Sequence, residues 1–484
     1  MSQKSESLKT IGSTLKSSFA TIATLDQKNE VSFREWVNGQ RSTTRPAQHL
    51  GRRPNWARRF CLHWLTPYRI LIAVTFAANV IVGGLMSRTE SSTGQLLTAT
   101  AVNLFVSVLV RQEDLINLSF GLIAGLPSTL PLSIRKVIAD FHHYGGVHIG
   151  CAVSSLLWYC LFLVTNTRDC IRINKVGSMS RWHWIDITTC YVFLLSLFII
   201  CLMAIPRLRE RLHNSFERSH RFGGWFALAI LWTNTGIRTH LDSPNTPLSS
   251  SPYLWLLAAT TFLIILPWLR MQRVPIRATP ITSRDIKLSF PYANMAYTST
   301  ARFSLSPLLE WHAFATVPSP DGFSADIIVS AAGDWTKDII AHPPSHMYIR
   351  TPPAANFLAF TPLFNSVLLV ATGAGIGPML SLFGSPAIAR MKAQGKTVRV
   401  MWCAYEPYAP HWAHVLAVIK GVDPLPKIFD SKQGRPDVAF EARYITHVEN
   451  LEAVMIVSNK TVTDEVVREV KGFGGAGYGA VFDS

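Results

Sequence analysis

Residues 367–384 read VLLVATGAGIGPMLSLFG. An apolar run enters the turn Thr372-Gly373-Ala374-Gly375-Ile376-Gly377-Pro378, and a second apolar stretch leaves it. Glycines let a strand-to-helix turn tighten and let backbone N–H groups approach a pyrophosphate. Pro378 suits the first turn of a helix, where the N–H is unpaired anyway. A glycine-rich string alone is a weak sign, but between a strand and a helix it has the context that dinucleotide binding requires. Thr372, Gly373, Gly375, Gly377 and Pro378 are therefore candidate nucleotide contacts. The alternative is a fold that keeps the turn without the ligand.

Working outward, the apolar runs SVLLVA, TVRVMWC, AVMIVS and GAVF alternate with helical stretches over 363–484. Alternation of this kind predicts an α/β doubly wound parallel sheet. Upstream, over 280–358, the β-rich pieces KLSF, HAFATV and ADIIVS are separated by Pro, Gly and Ser. These predict a small antiparallel β-barrel.

Only 16% of the 484 residues are charged, against roughly 25% in soluble domains. The deficit is concentrated in six apolar segments, 70–86, 96–110, 144–164, 185–205, 222–237 and 253–269. With flanking residues these approach the roughly 20 that a spanning helix needs, so 63–275 is expected to be an all-α six-helix membrane bundle. The fifth segment is interrupted by Trp232-Thr233-Asn234-Thr235, and its alternative reading is a re-entrant helix. Lys/Arg clusters lie before Tyr68, over 207–221 and over 270–277. They predict both termini in the cytosol, although Arg168, Arg172, Lys175 and Arg181 run against that rule. Residues 1–62 are expected to be cytosolic and partly disordered, and 117–140 to lie as an amphipathic segment on the membrane. Asp186, near the outer end of segment four, reads as solvated at the interface.

The net charge of +16 raises nucleic acid as a partner, but no zinc-finger spacing or basic helix with interleaved aromatics appears. The basic residues flank apolar runs instead, so the bilayer is the expected partner and nucleic acid is not. Seven cysteines without a CxxC pair indicate neither a disulfide framework nor a zinc site.

The TGAGIGP turn resembles the nicotinamide site of the ferredoxin-reductase superfamily. Seven strings in order, FHHYGGVHIG, FERSHRFGGW, EWHAFA, GDWTK, ATGAGIGP, SNKTVTDEVV and GYGAVFDS, are similar to the fungal TmpA-type integral membrane proteins. That group is related to ferric reductases and NADPH oxidases. Its founding member is tied to developmental signalling, and some relatives append an adenylate-forming domain, which is not recognisable here. The resemblance implies a membrane domain of ferric-reductase type followed by a cytosolic ferredoxin-reductase-like module that binds FAD and NADPH or NADH.

In that family the barrel carries a His-Pro-Phe-Ser/Thr flavin motif. LEWHAFAT puts His312, Ala313, Phe314 and Ala315 there, so the proline is missing and the hydroxyl moves to Thr316. The GDWTK segment resembles the flavin-phosphate helix, which Asp334 or Thr336 could cap, leaving N–H groups for an anion. Phe482 corresponds to a terminal aromatic that covers the flavin, or else is core at a strand end. Where reductases carry Cys-Gly-Pro this chain has Val457, Ser458 and Asn459. Loss of that thiol is expected to slow hydride transfer rather than forbid it, because the step needs positioning and no protein acid or base.

Ferric reductases hold two haems between histidines spaced about 20 Å along paired helices. Thirteen and fourteen residues beyond His143 stand Leu156 and Leu157; beyond His220 stand Thr233 and Asn234. The outer pair is missing, so at most one haem is expected, between His143 or His148 and His220. The plainer reading makes these histidines, with Gly145-Gly146 and Gly223-Gly224, helix-packing residues.

Together these readings predict a membrane flavoprotein oxidoreductase passing a hydride from NAD(P)H to FAD and electrons to an unknown acceptor, in a biosynthetic or signalling context. A signalling scaffold that retains the reductase fold without turnover is the alternative. A transporter is disfavoured by the cytosolic module and the lack of inverted repeats.

Overall fold

In a computed structural model, residues 56–86, 92–241 and 250–480 are described. The amino-terminal region up to residue 55 and Phe482 lie outside the described residues.

Helices α1 (Pro67–Met86), α2 (Thr93–Leu109), α3 (Glu113–Ala124), α4 (Leu132–Ala139), α5 (Gly145–Lys175), α6 (Arg181–Met203), α7 (His213–Leu241) and α8 (Pro252–Leu269) build the first half. Four of them, α1, α5, α6 and α8, are long and apolar enough to cross a membrane. Helices α2 and α3 meet the same test only as a pair bent by 67°. α7 is continuous through the Trp232–Thr235 interruption and 29 residues long, but it is not among the helices that meet that test. The bundle core is aromatic, with Trp158, Tyr159, Phe162 and Phe193 all buried between α5 and its neighbours. α1 has no fully buried residue, and Val74, Ile81 and Leu85 leave one apolar face uncovered by protein. It crosses α5 closely, because a Cβ on Gly146 would stand 2.4 Å from the Tyr68 carbonyl. Small residues permit such an approach.

The segment expected to lie on the membrane also packs on the second half of the chain. Ile116 and Phe120 of α3 and Ala139 of α4 belong to the same buried cluster as Phe360, Leu363 and Trp402. That part of its apolar surface is taken up by the second half of the chain, while Leu118, Leu122, Ile134 and Val137 stay exposed. Asn117 adds two bonds to that half, donating to the Pro353 carbonyl at 2.9 Å and accepting from the Ala355 N–H at 2.7 Å.

Strands β1 (Gln272–Pro275), β2 (Arg277–Pro280), β3 (Asp285–Pro291), β4 (Ser299–Ser304), β5 (His312–Ala315), β6 (Val317–Pro318), β7 (Ser324–Ser330) and β8 (His346–Ala355) form two antiparallel sheets. Their orders are β1-β8-β4-β5 and β2-β3-β7-β6. The period-2 alternation of β3 and β7 turns Ile286, Leu288, Phe290, Ile327 and Val329 inward, as expected of strands with one wet face. This lobe starts at β1, ahead of position 280. Helix α9 (Asp334–Ala341) follows β7.

Strands β9 (Ser366–Thr372), β10 (Thr397–Ala404), β11 (Lys427–Asp430), β12 (Ala453–Val457) and β13 (Ala476–Gly479) form a parallel sheet in the order β11-β10-β9-β12-β13. β9 is central and its Val367–Ala371 core is fully buried, which is why it reads as a continuous apolar run. Among the helices on its faces are α10 (Ile376–Phe383), α11 (Val438–Val448) and α12 (Lys460–Gly472).

Candidate functional site

In the parallel sheet the chain moves from β9 to β11 on one side and then returns to β12 on the other. The carboxyl ends of β9 and β12 thus flank a topological switch point, where open α/β sheets bind ligands. The predicted turn sits there. Gly373 adopts φ +50° with nothing within 4 Å of where a Cβ would point. Gly375 has the opposite constraint, since a Cβ would meet the Val457 carbonyl oxygen at 2.2 Å. Thr372 Oγ1 lies 2.5 Å from Ser458 Oγ, joining the two strand ends. Gly377 and Pro378 fall in the first turn of α10, and a Cβ on Gly377 would make ordinary 3.7 Å contact with Ile328 of β7. Helix α10 also packs against β5 and β6, so the turn abuts the antiparallel lobe.

On that lobe His312 stacks on Trp335, with ring centroids 4.0 Å apart, and Phe314 stands 5.8 Å from the same indole. Glu310 fixes the group. Its carboxylate accepts from Trp335 Nε1 at 2.8 Å and lies 3.1 Å from His312 Nε2. His312 and Phe314 stay partly exposed, which leaves an aromatic surface beside the nucleotide turn. Thr316 is turned inward; it is fully buried and its hydroxyl lies 2.7 Å from Ser299 Oγ. At α9, Thr336 Oγ1 accepts from the Ala332 and Gly333 N–H groups at 2.9 Å, the reach-back half of a capping box. Asp334 instead points into solvent. Trp335 and Glu310 escaped the sequence reading, although both lie in the strings EWHAFA and GDWTK.

Beneath the lobe the bundle encloses a cavity of about 390 Å³. His148 of α5 and His220 of α7 face each other there, with ring centroids 6.3 Å apart. His148 Nδ1 lies 2.8 Å from the Ser107 carbonyl, so its N–H donates there and Nε2 carries the lone pair. Arg221, Trp268, Trp311 and Arg350 line the same cavity. Trp311 precedes His312 in the chain, so the aromatic surface and the cavity are adjacent. Arg350 keeps its charge at neutral pH, although burial lowers its guanidinium to about 10. His143 is elsewhere, its ring tilted against His142 with centroids 4.0 Å apart.

Asp186, read above as solvated, is 2% exposed. It accepts from Asn166 and Asn234 at 2.9 Å each and pairs with Arg238 Nε at 3.5 Å. Arg238 also donates to Asn166. An ionised group so deep requires a partner, and Arg238, four residues past Asn234 on α7, supplies it. That spacing was the available signal.

Comparison with known proteins gives three findings. Residues 357–484 match the family model described as "Adenylate-forming reductase 03009, C-terminal domain". Two curated proteins of Coprinopsis cinerea are similar over 86% of this chain, adenylate-forming reductase 03009 at 34% identity and adenylate-forming reductase 06235 at 33%. The chain spans only 40% of the length of each. Among solved structures, a ferredoxin NADP+ reductase from Neisseria gonorrhoeae with bound FAD and NADP is 12% identical, with a TM-score of 0.34, over 42% of this chain and 92% of its own. A flavohemoglobin from Malassezia yamatoensis with bound FAD and heme is 13% identical, with a TM-score of 0.39, over 86% and 99% respectively. Likeness at that level carries no weight for the ligands of this chain.

Proposed function

We propose that the chain is a membrane-embedded, TmpA-type flavoprotein oxidoreductase that takes a hydride from NAD(P)H. The observation that carries this reading is the open Gly373 turn at the switch point, pressed by α10 against the partly exposed His312–Trp335–Phe314 surface. The residues fit both groups. A cradle that a Cβ would fill suits a pyrophosphate, and a partly exposed aromatic wall suits a flat ring. A bound flavin supplies the hydride acceptor, and a haem would supply a one-electron carrier. The residues themselves position and exclude water. Thr372 and Ser458 hold the two strand ends together at the nicotinamide side, and Glu310 locks His312 and Trp335 face to face.

The cavity fits a single haem. His148 and His220, with ring centroids 6.3 Å apart, would hold it, and it would supply one-electron transfer there. His148 donates its other N–H to a carbonyl, as metal-binding histidines do, and Arg221 and Arg350 would meet carboxylate groups at the rim. A second haem further out has no ligands. Asn234 there belongs to the Asp186–Arg238 cluster. We therefore assign the electron acceptor, still unnamed, to the side of the module. Four or more membrane-crossing helices with both termini in the cytosol remain part of the proposal.

The scaffold reading draws on one specific feature, Trp335 covering His312 and Phe314. Anaerobic titration of the purified full chain with NADPH and with NADH separates the two. Bleaching of a bound-flavin absorption band is expected; a colourless preparation that stays colourless with added FAD rules the enzyme out.

A further inference from the structure

A short turn, Asp140–His143, leads from α4, which packs on the nucleotide lobe, into α5 of the bundle. One ligand-capable atom from each of Asp140, His142 and His143 lies within 4.8 Å of the others. We propose that this turn is a binding site for a divalent transition-metal ion of the zinc class, independent of the redox reading above.

The second observation is the state of His142. Its side chain is buried, at 6% exposure, and Nδ1 stands 2.7 Å from the Ala139 carbonyl oxygen. A carbonyl only accepts, so the proton sits on Nδ1 and Nε2 presents a lone pair. That Nε2 is buried and has no hydrogen-bond partner. An orphaned polar atom inside a protein is destabilising, and a bound ion is one of its few remedies. An N–H given to a backbone carbonyl, with the other nitrogen left for the metal, is the usual arrangement of a ligating histidine.

The neighbours complete the set. The His143 ring is tilted against His142, with centroids 4.0 Å apart, and it offers a ligand nitrogen within 4.8 Å of the other two donors. Asp140 Oδ1 accepts from Lys471 Nζ of α12 at 2.8 Å, which orients the carboxylate and leaves Oδ2 for the ion. Two nitrogens and one oxygen suit zinc and its first-row neighbours. Calcium and magnesium prefer all-oxygen shells of six or more. Because the carboxylate is shared with Lys471, and His142 also packs against Phe357 and Tyr478, the ion would pin the nucleotide lobe to the start of α5. The opposing charge is Lys471 itself, which competes with the ion for Asp140.

The test uses the purified full chain in detergent, stripped with a chelator, titrated with Zn²⁺ and desalted, with zinc measured by mass spectrometry so that any haem iron does not interfere. About one zinc per chain is expected in the wild type. His142→Gln and Asp140→Asn should each weaken binding by 10–100-fold or more. Lys471→Met should tighten it by roughly 10-fold, a gain that misfolding cannot mimic. Wild-type protein that retains no zinc overturns the proposal. So does zinc that His142→Gln leaves unchanged in a protein of normal elution and helicity, or a Lys471→Met chain that binds no more tightly than wild type.

Discussion

Gly375 has no space for a methyl group, because the Val457 carbonyl would lie 2.2 Å away. Its neighbour Gly377 has ordinary room, with Ile328 at 3.7 Å. The two glycines of one motif should therefore behave differently. Gly375→Ala is expected to cost about 1–3 kcal/mol, the usual range for overpacking, to lower the thermal midpoint and to abolish nucleotide binding. Gly377→Ala should leave the midpoint nearly unchanged. Differential scanning of the detergent-solubilised variants, with and without NADPH, reads both effects, and equal destabilisation by the two changes would contradict the geometry. Thr316 carries a related lesson. From the string HAFAT its hydroxyl could face either way, and only the pairing of β4 with β5 buries it against Ser299.

At the scale of elements, the nucleotide lobe is held by α4. Arg135 donates two bonds to Glu452, at 2.6 and 3.1 Å, and one to the Leu363 carbonyl at 3.0 Å. Burial alone would raise the carboxyl of Glu452, but Arg135 and the Asn365 N–H outweigh it and hold it below its usual 4.5. A depressed carboxyl contributes its stability in full above the unfolded value and loses it as pH falls through the folded one. The clasp should therefore be intact at neutral pH and weaken below about pH 4.5. Glu452→Gln should cost about 1.5–3 kcal/mol, the range for hydrogen bonds to charged groups. Hydrogen exchange of the α4 amides at pH 7 measures it. Unchanged protection would mean that the apolar contacts of Ile116 and Phe120 suffice. The same elements show where the sequence is silent. An amphipathic stretch has one apolar face, and its sequence does not say whether lipid or protein covers that face.

For the whole molecule, the decisive arrangement is the His148–His220 pair on the module side of the bundle and the buried Asp186–Arg238 ion pair further along α7. A pyridine-haemochrome assay on the full chain should find at most one haem, lost in His148→Ala and in His220→Ala; two haems per chain would refute the assignment. Much of this was legible beforehand. Local patterns dictate local structure, so the glycine turn, the alternating strands of the antiparallel lobe, the parallel lobe and most apolar helices could be read from residue types at spacings of two to seven. The expectation that no histidine pair stands at the outer spacing also came from the sequence, because helical spacing is a one-dimensional quantity. Which histidine faces His220, what Asp186 pairs with, and that Trp335 lies on His312 depend on side chains from separate elements. No local period encodes those meetings, since they arise only when helices cross and sheets pack. Composition and periodicity therefore determined the elements and their order. Tertiary packing alone decided which polar groups share a site, because burial makes each of them find a partner and the fold decides which partner is in reach.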